Sequence, residues 1–199
     1  MMNKKDLRSD VKKMKVQKNS RRFSAQQITK IAMMIAFVSA MSYVRIPLPF
    51  SEAAVTGQTL AVNVIALLLT PKEAFVTMLC YWMLGLVGAP VFGGMAGPGK
   101  LFGAGGGYFV AFMLAVVLIG MWRGATYNLF RYVVVTVLVG LVVIDGIGFI
   151  WLKLVTGMTW QTAFVAGFVA FAPLDVVKCV AASLIVKPLR RALHVVEGI

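Results

Sequence analysis

Residues 88–108 read Gly88-Ala89-Pro90-Val91-Phe92-Gly93-Gly94-Met95-Ala96-Gly97-Pro98-Gly99-Lys100-Leu101-Phe102-Gly103-Ala104-Gly105-Gly106-Gly107-Tyr108, with nine glycines and two prolines. In a helix each glycine costs about 1 kcal/mol against alanine, and proline breaks what remains, so this backbone is irregular. Yet the run is apolar and lies between two long hydrophobic segments. A flexible external loop would be richer in Ser, Asn, Asp and charge. Apolar irregular backbone in a membrane protein belongs where it is buried or lines a cavity, so the run reads as a cap over a ligand pocket.

Working outward, composition sets the class. Of 199 residues, 60% are hydrophobic and 14% charged, which points to an integral membrane protein. The net charge of +13 does not imply nucleic acid, because half of the 20 Lys and Arg fall in the first thirty residues as a tail rather than a binding face. That tail, residues 1–26, reads as a cytoplasmic anchor facing the lipid bilayer. Its charged region is too long for a cleavable signal peptide. Cys80 and Cys179 lie inside apolar segments, where a thiol behaves as a small hydrophobe, and call for neither disulfide nor metal.

Six apolar segments follow within a membrane domain of residues 27–191, and residues 192–199 form a C-terminal cytoplasmic tail. The first, 27–44, is long enough for a ~30 Å hydrocarbon core, which takes ~20 residues. Ala32, Ala36 and Ala40 form a small-residue stripe along it, suited to close approach of another helix from a partner or from this chain. Pro47 and Pro49 end it in an outer loop reaching about Gly57. The second segment, 55–70, is short and opens with Thr56-Gly57-Gln58-Thr59. Short or Gly-interrupted spans point to binding sites at membrane depth, although Gln58 also fits a helix end at the water interface. Residues 71–73 read as a cytoplasmic turn before segment three, 74–87, which carries Tyr81 and Trp82.

Segment four, 105–122, opens on Gly105-Gly106-Gly107-Tyr108, whose unobstructed N–H groups can receive an anion. Segment five, 132–151, bears Asp145 near its outer end, where it either serves the site or simply reaches water. Residues 153–159 form an outer turn, and segment six, 162–186, leaves the membrane at Lys187-Pro188. With the N-terminus inside, Lys and Arg concentrate on the cytoplasmic side, and only Arg45, Lys100 and Lys153 fall outside. Both termini are then cytoplasmic and the glycine-rich run is external. The expectation is an all-α, multi-pass protein of six spans, with a Gly-rich cap between helices three and four.

Asp175 and Lys178 carry the most information, since an ionisable residue at mid-span costs roughly 2.5–3.5 kcal/mol. Three residues apart, they share a helix face and pair, either for a ligand or merely for the bundle. Enzymatic readings find no support: His194 is the lone histidine, and Gly-x-Ser-x-Gly, metal-ligand spacing and P-loop are all missing from the sequence. The reading is a non-enzyme without cofactor, which cannot hydrolyse ATP by itself.

In order and spacing, several pieces then resemble one known family. They are Ile46-Pro47-Leu48-Pro49, Val55-Thr56-Gly57-Gln58-Thr59-Leu60, Leu79-Cys80-Tyr81-Trp82-Met83-Leu84-Gly85, Gly88-Ala89-Pro90-Val91-Phe92-Gly93-Gly94, Gly103-Ala104-Gly105-Gly106-Gly107-Tyr108 and Pro173-Leu174-Asp175-Val176-Val177-Lys178. The family is BioY, the biotin-specific S components of energy-coupling factor (ECF) transporters, and the resemblance covers nearly all of the chain after the basic tail. It implies a six-helix substrate-binding subunit in a bacterial cell membrane, joined by a coupling transmembrane protein and a pair of ATPases, and toppling to deliver biotin. It also implies that Ala32, Ala36 and Ala40 meet the coupling protein. This chain departs from the family pattern twice: Gly105 replaces a threonine found in Gly-Pro-Thr-Gly-Gly-Tyr, and Met95 stands where some relatives carry a basic residue.

For such a ligand, Phe92, Phe102, Tyr81 and Tyr108 supply apolar wall, with Gly106 and Gly107 in the closing cap. Asp175, Gln58 and Asp145 are candidates for the ureido group. Lys178, Lys100 or the N-terminus of segment four are candidates for the carboxylate. Two other readings stay open: a different vitamin on this scaffold, or a membrane scaffold protein whose polar residues are structural.

Overall fold

A computed structural model describes residues 24–49 and 51–192. The basic stretch 1–23, most of the predicted N-terminal tail, and residues 193–199 with His194 lie outside the described residues, as does Phe50.

Helix α1 (Ala25–Tyr43) starts where Ser24 and Gln27 cap one another, the Gln27 N–H donating to Ser24 Oγ at 3.2 Å and the Ser24 N–H to Gln27 Oε1 at 2.8 Å. After it, the predicted outer loop contains a hairpin: β1 (Arg45–Leu48) pairs antiparallel with β2 (Ser51–Thr56), with Arg45 opposite Thr56. Register shifts between Ile46 and Leu48, where Pro47 has no N–H to give the ladder. The hairpin takes up the start of predicted segment two, so α2 (Gln58–Leu68) begins three residues later than expected.

Ten of the eleven residues of α2 are buried. A helix apolar on all sides sits in the middle of its fold, and α2 packs against α1, α5 and α9, the last two defined below. Residues 71–73 are the first turn of α3 (Pro71–Leu86) rather than a separate turn. Proline at the helix start loses no bond, and Thr70 with Glu73 completes a second capping box.

The glycine-rich run carries one short helix, α4 (Pro98–Phe102), and leads into α5 (Gly106–Trp122). At the far end of α5, Arg123 turns its guanidinium back onto the carbonyl oxygens of Leu67 and Leu69, satisfying the open end of α2.

The last two rods each change helical pitch midway. Helix α6 (Leu129–Val139) passes through a π-turn, Gly140–Asp145, into α7 (Gly146–Thr156). Helix α8 (Trp160–Phe164) passes through a second π-turn, Val165–Val169, towards α9 (Ala172–Ala192). Among the described residues these two continuous helices, Leu129–Thr156 and Trp160–Ala192, are long and apolar enough to cross a membrane, while α2 and α5 are shorter apolar helices. Two predicted ends move. Lys153 belongs to α7 rather than to a turn, with Gly157 closing that helix at φ +72°, and α9 runs through Pro188 to Ala192. The core lies between α2, α3, α5 and α9, with Ala111 and Ala115 of α5 fully buried so that neighbouring backbones come close.

Candidate ligand-binding site

One cleft collects the end of α1, the hairpin, the start of α2, the glycine-rich run, the first turns of α5 and the start of α9. It encloses about 600 Å³, counting the part open to solvent.

Its apolar wall is an aromatic chain. Phe92 meets Tyr81 edge-on at 5.2 Å and Phe109 at 4.8 Å, and Phe109 meets Phe112 at 6.0 Å. Phe92 can lie where it does because a Cβ on Gly85 would come within 2.0 Å of its ring. Tyr108, opposite, stacks on Phe171 at 5.3 Å and donates its hydroxyl to the Gly167 carbonyl at 2.5 Å. Gly167 belongs to the second π-turn, where the i→i−4 ladder is interrupted and carbonyls are free for such partners.

The polar groups are few and held. Thr56 Oγ1 donates to Gln58 Oε1 at 3.0 Å, and Gln58 Nε2 donates to the Tyr81 hydroxyl at 2.7 Å. Tyr81 passes its own proton to the Val91 carbonyl at 3.0 Å. Ser42 also donates to that carbonyl, at 2.7 Å, and accepts from the Gly93 N–H at 2.7 Å. Tyr43 donates to the Pro90 carbonyl at 2.7 Å. The glycine-rich run is therefore stitched to α1 and α3. Gly93 needs its glycine, with φ +66° and only 2.6 Å from a would-be Cβ to the Ser42 carbonyl oxygen.

On the α9 wall, Asp175 is 1% exposed and accepts from Lys178 Nζ at 2.7 Å, the pair that their spacing predicts. On the opposite sequence elements, Arg45 of β1 and Lys100 of α4 also line the cleft. Burial, and secondarily the nearby charge of Arg45, lower the pKa of Lys100 below its ordinary value.

Of the residues singled out from sequence, Gln58, Phe92, Lys100, Tyr108 and Asp175 line the cleft. Tyr81 stands behind Gln58, fully buried, as a hydrogen-bond relay rather than as wall. Lys178 reaches the cleft only through Asp175. Phe102 is 64% exposed and outside the lining. Gly106 and Gly107 face away from the cleft. A Cβ on Gly106 would lie 2.1 Å from the Leu101 carbonyl oxygen, and one on Gly107 2.2 Å from Trp151. Their glycines admit the indole of Trp151, whose Nε1–H donates to the Gly103 carbonyl at 3.0 Å.

Asp145 is corrected: instead of reaching water it is fully buried in the first π-turn, facing Asp175, and among the described residues neither carboxylate oxygen has a hydrogen-bond partner. It does not line the cleft. Sequence reasoning missed Ser42, Arg45, Thr59, Phe109, Phe112 and Phe171 in the lining. The three-residue spacing of Phe109 and Phe112 after Tyr108 was a readable helical signal, whereas Arg45 entered only the charge count.

Ala32, Ala36 and Ala40 are all exposed. Their stripe faces outward.

The fold and the cleft together define a helical small-molecule-binding protein with an apolar exterior. Its sequence matches the BioY family over residues 13–195, and the chain belongs to that family. It is 34% identical over 169 residues to a protein named biotin transporter BioY2 from Lactococcus lactis subsp. cremoris, covering 83% of this chain and 91% of that one. It is 33% identical over 167 residues to a probable biotin transporter BioY from Pyrococcus horikoshii, covering 83% and 97%. Its fold superposes with a TM-score of 0.79 on a crystal structure described as the S-component for biotin from an ECF-type ABC transporter, at 26% identity, covering 85% of this chain and 95% of that one. Membership places the chain among membrane proteins.

Proposed function

We propose that the chain is the biotin-binding membrane subunit of an uptake system, a transport protein and not an enzyme. It captures biotin from the external face and delivers it inward, driven by a separate coupling protein and ATPase pair. The observation that carries this reading is the cleft itself, an aromatic trough flanked by a buried carboxylate and a buried amide. Biotin pairs an apolar thioether ring and alkyl chain with a ureido group that has two N–H donors and one acceptor. Asp175 is an acceptor, and Gln58, after its bonds to Thr56 and Tyr81, retains one N–H and acceptor capacity for the same group. Family membership and the names of the relatives support biotin over other vitamins.

In this reading six spans carry both termini to the cytoplasm, and the glycine-rich run covers the cleft from outside. The distribution of Lys and Arg supports that orientation. The exposed alanine stripe of α1 is the docking face for the coupling protein, since small side chains let a neighbouring helix come close. Equilibrium dialysis of labelled biotin against the purified chain, with other vitamins as competitors, tests the reading. Saturable binding displaced by unlabelled biotin alone is the expected result. Displacement by another vitamin at lower concentration would reassign the cargo, and no binding of any would sink the reading.

A further inference from the structure

We propose that Arg45 and Lys100 together receive the anionic end of the cargo, fixing its orientation with the carboxylate at the hairpin and the ring at α9. This deepens the reading above and rests on it. Both cations line the same cleft, from elements remote in sequence. Among the described residues neither forms an ion pair, and the one acidic side chain in the lining, Asp175, is already engaged by Lys178.

Two like charges facing one partly desolvated space repel, and the charge of Arg45 does act on Lys100. A single monoanion between them removes that cost and gains charge-assisted hydrogen bonds. The planar guanidinium of Arg45 offers two parallel N–H bonds to a carboxylate, while Lys100 adds a point charge.

Among the described residues, the other carboxylate candidates read from the sequence are already engaged. Lys178 is bound to Asp175 at 2.7 Å and lies outside the lining. The N-terminus of α5 is plugged, because the Gly106 N–H donates to the Gly103 carbonyl at 2.9 Å while Leu101 and Trp151 cover Gly106 and Gly107. Met95 lines the cleft but brings no charge. Asp175, the two cations and the aromatic pair Phe92 and Phe109 all line this one cleft. A molecule with N–H donors at one end, an apolar middle and a monoanion at the other matches that set of groups.

The test measures equilibrium binding of biotin and of biotinamide, its uncharged carboxamide, to wild type, Arg45→Gln, Lys100→Gln and the double variant. Wild type is expected to prefer biotin by on the order of tenfold or more, the worth of a charge-assisted contact. Arg45→Gln should lose most of that preference and Lys100→Gln part of it. The double variant should bind both ligands alike, at about the wild-type affinity for biotinamide. Equal binding of the two ligands by wild type would overturn the proposal and leave the biotin reading standing. So would an unchanged preference in the double variant. Binding of neither ligand by wild type would remove the reading and the proposal with it. The wild-type comparison needs no variant to fold, and Arg45 is exposed, so its substitution leaves the core intact.

Discussion

Gln58 hangs from Tyr81: its side-chain amide donates to the tyrosine hydroxyl at 2.7 Å, and that hydroxyl donates onward to the Val91 carbonyl at 3.0 Å. One buried phenol thus links the start of α2 to the glycine-rich run, two parts of the cleft 33 residues apart in sequence by the positions of Gln58 and Val91. Its ring is equally engaged, edge-on to Phe92 at 5.2 Å.

Tyr81→Phe therefore separates the hydroxyl relay from the packing of the ring. It keeps the ring and its contact with Phe92 but leaves the Gln58 amide short of an acceptor, while the Val91 carbonyl keeps its bond from Ser42. An unsatisfied buried polar group costs ~1–3 kcal/mol. Biotin affinity should fall by roughly tenfold, at about 1.4 kcal/mol per decade, as Gln58 turns from its position in the cleft. Affinity equal to wild type in equilibrium dialysis would mean that Gln58 is held in place, if it serves the ligand at all, by Thr56 alone.

How much of this was legible in the sequence depends on the range of the cause. The helical class followed from composition, and the Asp175–Lys178 pair from spacing along one helix, both local signals. The hairpin did not, because Arg45-Ile46-Pro47-Leu48 reads as a break when its partner strand is not yet in view. The burial of Asp145 was also hidden. Counting residues placed it near a span end, whereas α6 and α7 form one helix of 28 residues with the π-turn well inside it. At Gly106 and Gly107 the permissive residue was readable but its occupant was not, the indole of Trp151 lying 44 positions beyond Gly107.

That occupant yields the second prediction. Gly107→Val places a branched side chain where Trp151 already lies 2.2 Å from a would-be Cβ, so α5 and α7 must part. Overpacking of this kind costs typically ~1–3 kcal/mol. The thermal midpoint of the detergent-purified variant should drop, while membrane insertion continues because the apolar helices are untouched. Combining it with Trp151→Ala should destabilise less than the sum of the two single changes, since both act on one contact. Additive effects would show that the close approach is not what the glycine serves.

Ala36→Trp probes the exposed face of α1. Ala36 is exposed, so the variant should fold and bind biotin as wild type does. Co-purification with the coupling protein, and with it transport, should be lost, because a bulky side chain holds a partner helix away. Retention of both activities would place the docking face elsewhere.

The final prediction concerns whether Asp175 and Lys178 serve the ligand or only each other. Removing one member of a buried ion pair costs ~3–5 kcal/mol, because the remaining charge is stranded. Asp175→Ala thus loses binding in either case, and cannot decide. Asp175→Ala combined with Lys178→Met removes both charges, and replacing a buried pair by apolar groups is often close to neutral for stability. If the pair is only structural, the double variant should be as stable as wild type and bind biotin as well. If Asp175 accepts ureido N–H bonds, the double variant should recover its thermal midpoint and stay at least tenfold weaker in affinity, since the ligand's donors meet no acceptor. Asp175→Asn should fall between, because it keeps one carbonyl oxygen towards the ligand while giving up the charge that holds Lys178. We expect recovery of stability without recovery of binding, measured on monodisperse protein by thermal shift and equilibrium dialysis. Recovery of both would return Asp175 to the bundle and leave Gln58 as the polar anchor of the cleft.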